Sequence, residues 1–330
     1  MAVAALFGAP AAMAQTAQTA DSVEAPVSPA AAPAATGPAA AKPASDEPTV
    51  RRQSLPPGVQ QGAVVGGATE AWQPTFRYET GLADFVVTGL AVGVAVGAAV
   101  VPPRAGELRH GLWFDDDVRG ALRLKSVDQR YRIRDASDVG VSLLTTWPIL
   151  VDSLISAWWY RGNSEVAKQI AIVDAEVLAV VAAAQGMTTT LVGRQRPFGN
   201  DCGGSIPESG VDCDKQVRFR SFFSGHSAQS FASAAVLCVN HMKMGLLGDG
   251  RDAATCVIAL GVAATTGTFR IVGDMHYATD VLTGALVGSA LGVTIPLLHG
   301  TDTTKGARER EGLRVRLVPM GMGLSLGGSF

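Results

Sequence analysis

Three clusters of polar residues in the second half of the chain contain the side chains that phosphoryl transfer through a histidine requires. One histidine can attack phosphorus, a second can move the proton, and guanidinium groups can neutralise the phosphate oxygens. In chain order the clusters are Arg196-Pro197, then Ser224-Gly225-His226, then Arg270 with His276 and Asp280. This combination of side chains predicts an enzyme.

The anion-binding groups are predicted from side-chain chemistry and helix geometry. Arg196 and Arg270 stay charged at any working pH, and each can bind two phosphate oxygens. Ser224 and Gly225 directly precede an apolar run over residues 227–240, which predicts a helix N-terminus at that point. Free backbone N–H groups and the helix dipole favour an anion there.

The two histidines divide the chemistry between a nucleophile and an acid or base. His276 and Asp280 are four residues apart, so a helix would place both on one face. The carboxylate can then hold one ring nitrogen and leave the other free to attack. We expect His226 to protonate the leaving oxygen and then to activate water against the phosphohistidine. These steps need no metal and no cofactor, and we expect neither.

The three clusters resemble the signature of the type 2 phosphatidic acid phosphatase superfamily, which includes bacterial class A acid phosphatases, lipid phosphate phosphatases and vanadium haloperoxidases. Its motifs run Lys-x6-Arg-Pro, Pro-Ser-Gly-His and Ser-Arg-x5-His-x3-Asp, and the resemblance covers roughly residues 77–300. It implies that His276 is the nucleophile, Asp280 its orienting carboxylate and His226 the acid/base. The implied phosphate cradle consists of Arg196, Arg270, Ser224 and Gly225.

The chain departs from these motifs at three positions. Thr189 replaces the motif lysine, Phe223 replaces the motif proline, and Phe269 replaces the motif serine. Loss of the lysine removes one positive charge from the cradle. Arg194 is the nearest residue that could replace it in binding phosphate, with a loop-surface arginine as the alternative interpretation, and Arg220 is a weaker substitute.

Composition favours a helical membrane protein. Of the 330 residues, 47% are hydrophobic and only 17% are charged, and the net charge is −2. Near neutrality without a basic block excludes nucleic acid as a partner. Apolar stretches of helical length predict an all-α fold, a six-helix bundle of the phosphatidic acid phosphatase type, at residues 82–101, 139–160, 166–192, 227–247, 253–269 and 278–298. Between the first two stretches, Phe114, Val118 and Leu122 predict a short amphipathic helix.

The regions that flank the bundle have their own compositions. Residues 1–14 contain an A-x-A cleavage pattern without a basic n-region and predict a signal-peptide remnant. Residues 15–75 are rich in Pro and Ala and predict a disordered linker. The catalytic domain should then cover residues 76–300. In residues 301–330 apolar residues alternate with Arg, Gly and Ser, which predicts a short C-terminal β tail.

The sequence leaves open whether the helical bundle spans a membrane. Asp152, Asp174 and Glu176 lie inside the second and third apolar stretches, where a soluble helix would tolerate them more easily than a lipid-facing one. We expect a bacterial membrane protein with a periplasm-facing active site. The alternative is a soluble or peripheral periplasmic bundle.

The four cysteines favour an oxidising compartment. Cys202 and Cys213 bracket a short loop between the first two clusters and predict a disulfide. Cys238 and Cys256 lie in two predicted helices and are expected to be buried, small apolar side chains. The histidines outside the clusters are scattered, so the sequence predicts no metal-ligand cluster.

The predicted function is metal-independent hydrolysis of a phosphate monoester or diphosphate, carried by a lipid, through a phosphohistidine. The partner is then a phosphorylated lipid or a small phosphate ester, and the oligomeric state is not determined. The alternatives are a soluble periplasmic acid phosphatase of broad specificity and a vanadate-dependent haloperoxidase, in which His276 would hold vanadate. A protein that only binds or transports should lack His226 or His276, and both are present.

Overall fold

The computed structural model describes residues 72–104, 106, 108–202, 213 and 216–302, and two strands at 314–320 and 323–329. The predicted signal-peptide remnant and all but the end of the predicted linker lie outside these residues. Within them, the predicted all-α class is confirmed. The helices are α1 (Leu82–Val100), α2 (Asp115–Leu122), α3 (Val127–Trp147), α4 (Ser164–Val192), α5 (Gly225–Met244), α6 (Arg251–Val272) and α7 (Ala278–His299).

Helix α3 begins well before the apolar stretch that predicts it. It starts at Val127 rather than at Val139, and it continues into a π-helical segment, Pro148–Tyr160. Its first turns carry charged residues, so the apolar pattern of the sequence does not predict these turns as helix. Two of these charged side chains bond within the protein: Arg130 Nη1 donates to the carbonyl of Leu124 at 2.8 Å, and Arg134 Nε donates to that of Gly273 at 2.7 Å.

Two small antiparallel sheets accompany the helices. Strand β1 (Phe76–Tyr78) pairs with β2 (Gly300–Asp302), which directly follows α7. The predicted β tail forms a hairpin of β3 (Arg314–Met320) and β4 (Gly323–Ser329). The alternating pattern of the tail therefore predicted its secondary structure correctly.

Five helical segments of the described chain are long and apolar enough to cross a membrane; α5 is not among them. The first of them, α1, exposes Leu82, Leu90 and Val100 by 80%, 67% and 76%. Trp113 near one end of the bundle is 92% exposed, and Trp159 near the other is 79% exposed, as expected of aromatic residues at the two membrane interfaces. The protein is therefore a membrane protein.

The acidic residues inside the apolar helices do not face lipid. Asp152 and Asp174 are 0% and 1% exposed, and Glu176 is 6% exposed. Asn240 Nδ2 of α5 donates to Asp174 Oδ1 at 3.4 Å. Because these side chains point into the bundle, they are compatible with membrane-spanning helices.

Helices α5 and α7 pack with their backbones in close approach. Gly284, Gly288 and Gly292 form a stripe on α7 that lies against α5. A Cβ atom at Gly288 would overlap the carbonyl oxygen of Ala228, and one at Gly284 would lie 2.6 Å from that of Ser224. Small residues at four-residue spacing allow this contact, which holds the start of α5 beside the start of α7.

We expect Gly288→Ala to destabilise the protein by about 1–3 kcal/mol, the usual range for overpacking, because α5 and α7 must separate. Activity should fall as well, since two of the polar clusters lie on these helices. The check is thermal unfolding and turnover in detergent. Gly261→Ala on α6 is the matched control, because nothing lies within 4 Å of its added Cβ. Equal melting temperatures for the two variants would contradict the packing model.

Candidate active site

The fold brings the three polar clusters to one end of the bundle. The first follows α4, the second opens α5, and the third spans the connection from α6 to α7. Direct contacts join them: Arg196 Nη1 lies 3.6 Å from Met275 Sδ, and the Ser224 N–H donates to the carbonyl of Asp280 at 3.1 Å. Residues far apart in sequence therefore share one site.

His276 has the tautomer and charge of a nucleophile. The side chain is buried, and its Nδ1 lies 2.8 Å from the carbonyl oxygen of Ser221. Since a carbonyl only accepts hydrogen bonds, Nδ1 carries the proton and Nε2 keeps its lone pair. Burial lowers the pKa of His276 to about 3, helped by Arg196 and Arg270 and opposed by Asp280. The ring is therefore neutral at physiological pH.

Asp280 is connected to His276 through an intermediate residue, Ser221. Its Oδ2 is 3.8 Å from His276 Nδ1, too long for a hydrogen bond. The same oxygen accepts from Ser221 Oγ at 2.6 Å and from the Tyr277 N–H at 3.0 Å. Ser221 thus connects the carboxylate to the ring by its hydroxyl and its carbonyl. The sequence carries no signal for this role, because any residue supplies a carbonyl.

Arg194 has a position different from the one predicted for a phosphate-binding residue. Its guanidinium is 0% exposed and lies between two carboxylates: Nη1 donates to Asp280 Oδ1 at 2.6 Å, and Nη2 donates to Asp115 Oδ2 at 2.8 Å. Nη1 also donates to Thr279 Oγ1, and the group lies 4.3 Å from the ring centre of Tyr277. Two buried carboxylates therefore bind this cation within the protein.

Thr189, which replaces the motif lysine, and Arg220, the weaker substitute for that lysine, also bond to groups of the protein. Thr189 is buried on α4 and donates to the carbonyl of Gly186 at 3.0 Å. Arg220 Nη2 donates to the carbonyls of Ala98 and Val101 at the end of α1, at 3.0 and 2.6 Å. Because cations stabilise the carbonyls at a helix C-terminus, Arg220 serves as a cap for α1.

The remaining predicted cradle residues surround His276. Arg196 and Arg270 are 9% and 4% exposed, and both act on the pKa of His276, which places their charges near the ring. Ser224 is the N-cap of α5, its Oγ accepting from the Ser227 N–H at 3.3 Å. Gly225 follows as the first helical residue. Two guanidiniums and a helix N-terminus make this end of the bundle suited to an anion.

Asp138 is a site residue that the sequence analysis missed. Its Oδ1 lies 2.6 Å from His226 Nε2 and accepts from Arg270 Nη1 at 3.1 Å, so it bridges two of the predicted residues. The side chains of His226 and Asp138 are 23% and 53% exposed, and the site opens on this side. Burial and Arg270 lower the pKa of His226 to about 4, against the opposing effect of Asp138. The sequence offered one sign of this role: Asp138 is an acidic residue directly before the apolar stretch 139–160.

The short helix α2 holds the loop that carries His276. Arg119 binds Asp274 with two hydrogen bonds, Nε to Oδ1 at 2.7 Å and Nη2 to Oδ2 at 2.9 Å, and Arg123 Nε lies 2.8 Å from the same carboxylate. Asp115 accepts from the Thr279 N–H at 2.8 Å. Asp274 has a φ of 62°, a conformation that these bonds must stabilise. The amphipathic pattern predicted the helix but not this function.

Both cysteine pairs are disulfides. The Cys202–Cys213 bridge has a Cα–Cα distance of 5.6 Å and confirms the prediction. Cys238 and Cys256 are bonded too, with a Cα–Cα distance of 4.7 Å, which corrects the expectation of buried thiols. The reason is tertiary: α5 and α6 pack side by side and bring the two residues together.

Comparison with known proteins agrees with this geometry. The PAP2 superfamily model matches residues 174–303, which include all three polar clusters. A lipid A 1-phosphatase from Porphyromonas gingivalis is 28% identical over 206 residues, which are 60% of this chain and 40% of that protein. Residues 174–303 of this chain are therefore similar to the PAP2 superfamily. The family resemblance predicted from the motifs is therefore confirmed.

The PAP2 match starts within α4, so α2 and Asp138 of α3 lie before it. A solved transmembrane PAP2-type phosphatidylglycerolphosphate phosphatase from Bacillus subtilis has a TM-score of 0.42 and 18% identity, covering 69% of this chain and 97% of that one. The chain spans about two fifths of the length of the P. gingivalis relative. The P. gingivalis relative is named as a phosphatase, the enzyme class that the motifs predict.

We expect Arg194→Met to lower stability by about 3–5 kcal/mol, the usual cost of leaving a buried charge without its partner, because Asp115 and Asp280 would face each other unpaired. Thermal unfolding in detergent measures the change. Arg251→Met is the matched control, since the Arg251 side chain is 61% exposed. If Arg194→Met unfolds like the wild type but binds phosphate more weakly, Arg194 belongs to the cradle after all.

Proposed function

We propose that this protein is a lipid phosphate phosphatase that hydrolyses a phosphate monoester or diphosphate through a phosphohistidine on His276. The observation that carries the proposal is the neutral, buried His276 ring, whose Nε2 keeps a lone pair beside two arginines. A nucleophile next to an anion site is the arrangement that covalent phosphoryl transfer requires. The chemical steps use protein groups alone.

In the first step, His276 Nε2 attacks phosphorus and the bond to the leaving oxygen breaks. Protonated His226 donates its proton to that oxygen, and the alcohol or lipid phosphate leaves. Arg196, Arg270 and the N-terminus of α5 neutralise the charge on the equatorial oxygens. The positive charge on the phosphorylated ring is stabilised by the hydrogen bond from Nδ1 to the carbonyl of Ser221.

In the second step, His226 acts as a base. It removes a proton from water while the water oxygen attacks phosphorus, and the N–P bond breaks. Inorganic phosphate leaves, His276 returns to its neutral form, and His226 is protonated for the next cycle. Asp138 keeps the ring of His226 in place through its bond to Nε2.

A lipid substrate is favoured by the setting of the site. The five candidate spans place the site at one end of a membrane bundle, where a lipid headgroup would lie. The similarity to a lipid A 1-phosphatase points to the same class of substrate. The Cys202–Cys213 disulfide lies in the loop between the first two clusters and suits an oxidising compartment, so we place the active site on the periplasmic side.

We expect His276→Ala to abolish both turnover and the acid-labile phosphoenzyme, because the nucleophile is lost. His226→Ala should slow both steps, and a substrate with a good leaving group should restore only the first, so that phosphoenzyme accumulates. Mass spectrometry after rapid acid-free quenching measures the intermediate. His110→Ala, at an exposed histidine, is the control. Undiminished phosphoenzyme in His276→Ala would overturn the assignment.

Substrate class is tested with phosphatidic acid, an isoprenyl diphosphate, lipid A and a soluble aryl phosphate, each with and without chelator. We expect the lipids to have the higher kcat/KM, with an initial rate that the chelator leaves unchanged. A preference for the aryl phosphate would favour an acid phosphatase of broad specificity. Halide oxidation with vanadate and peroxide would favour a haloperoxidase.

We expect Asp138→Asn to shift the alkaline limb of the kcat/KM profile to lower pH. The carboxylate favours the protonated form of His226, so its removal lowers the pKa of that ring further below about 4, and less acid is available at any given pH. The acidic limb, set by His276, should move less. Asp135→Asn, exposed one turn earlier on α3, is the control. An unchanged profile would show that Asp138 does not act on His226 during turnover.

A further inference from the structure

A second group of functional side chains meets at the opposite end of the bundle. Asp84 lies in the first turn of α1, Glu176 lies in the middle of α4, and His299 is the last residue of α7. Along the 22 residues of α7, this end is about 33 Å from the end that carries His276. The sequence predicts no metal-ligand cluster, because these three residues are far apart in the chain and only the fold joins them.

One nitrogen of the His299 ring lies beside two carboxylates. Its Nδ1 lies 2.8 Å from the carbonyl of Ile295 and therefore carries the proton. The opposite nitrogen, Nε2, lies 3.1 Å from Asp84 Oδ1 and 3.5 Å from Glu176 Oε2. All three ligand atoms lie within 4.8 Å of one another. Two carboxylates and a ring nitrogen that face one point need a positive charge between them, either a proton on Nε2 or a metal ion.

The carboxylate of Glu176 gives independent support. The residue is 6% exposed, and its Oε2 has no hydrogen-bond partner among the residues that the structure describes. Asp84 uses its other oxygen, Oδ2, to accept from the Gly81 N–H at 2.6 Å, which leaves Oδ1 directed at the cluster. A buried carboxylate oxygen without a donor is costly, and metal coordination is one of the few ways to satisfy it.

We propose that Asp84, Glu176 and His299 bind a zinc ion. Imidazole nitrogen and carboxylate oxygen are zinc ligands with bonds of about 2.0–2.2 Å, so neighbouring ligands of a tetrahedral ion are about 3.4 Å apart. The two distances from Nε2, 3.1 and 3.5 Å, bracket that value. The bond from Nδ1 to a backbone carbonyl is the usual support of a zinc-bound histidine.

The proposed ion has a structural role. It ties the start of α1 and the end of α7 to the middle of α4, next to the pairing of β1 with β2, where the Glu79 N–H donates to the carbonyl of His299 at 2.8 Å. The side chains of Asp84 and His299 are 13% and 15% exposed, so an ion can reach the cluster. Because the active site lies at the other end, removal of zinc affects stability and not the phosphoryl-transfer steps.

The test uses the full chain, purified in detergent without a histidine tag. Inductively coupled plasma mass spectrometry should find one zinc per chain, and chelation should lower the melting temperature until zinc is restored. Glu176→Gln should weaken zinc binding by at least the 10–100-fold that loss of a supporting residue causes. Glu165→Gln, on the exposed face of the same helix, should bind like the wild type.

Cobalt substitution of the chelated wild type keeps the test independent of variant folding. A tetrahedral Co²⁺ site with one histidine and two carboxylates should give visible d–d absorption, which His299→Gln should remove. No stoichiometric zinc and no such absorption would overturn the proposal, and the three residues would then form an ion-paired triad with a protonated His299. Equal zinc affinity in Glu176→Gln and Glu165→Gln would overturn it as well.

Discussion

The buried cation of Arg194 is the constraint on which the active-site end of the bundle depends. It lies between the carboxylates of Asp115 and Asp280, so it joins α2, the loop after α4 and the start of α7. Asp280 in turn holds Ser221, and the carbonyl of Ser221 sets the tautomer of His276. The buried guanidinium thereby helps to determine which nitrogen of His276 is free. Buried ion pairs add little net stability, but they specify one arrangement of the groups around them.

Backbone contact between α5 and α7 adds a second constraint. The glycine stripe on α7 lets the two helices approach until no Cβ fits between them, and both helices begin at the active site. The N-terminus of α5 and His276 therefore keep a constant separation. In a membrane, where lipid surrounds the exposed apolar faces, close packing of small residues rather than hydrophobic burial supplies this rigidity.

A histidine at each end of the bundle makes the same hydrogen bond to the backbone, but the two rings lie among groups of opposite charge. His276 and His299 each donate Nδ1–H to a backbone carbonyl, so each turns Nε2 toward the neighbouring groups. Around His276 the nearby charges include two arginines, which suit an anionic substrate. Around His299, Nε2 faces the carboxylates of Asp84 and Glu176, which suit a cation. The surrounding charges, and not the ring itself, decide which partner each histidine can bind.

The sequence by itself determined the family resemblance, the helical class, the β tail and one disulfide, because apolar runs, alternation and motif spacing are local properties of the chain. Only the tertiary structure decided which side chains contact one another. Arg194 had the spacing of a cradle residue, yet two distant carboxylates bind it; Asp138 carried no motif, yet it contacts His226. Helix packing alone brings Cys238 to its disulfide partner and His299 to its two carboxylates. Hydrogen bonds and ion pairs act over a few ångströms in space, and linear spacing does not encode such distances between residues on different helices.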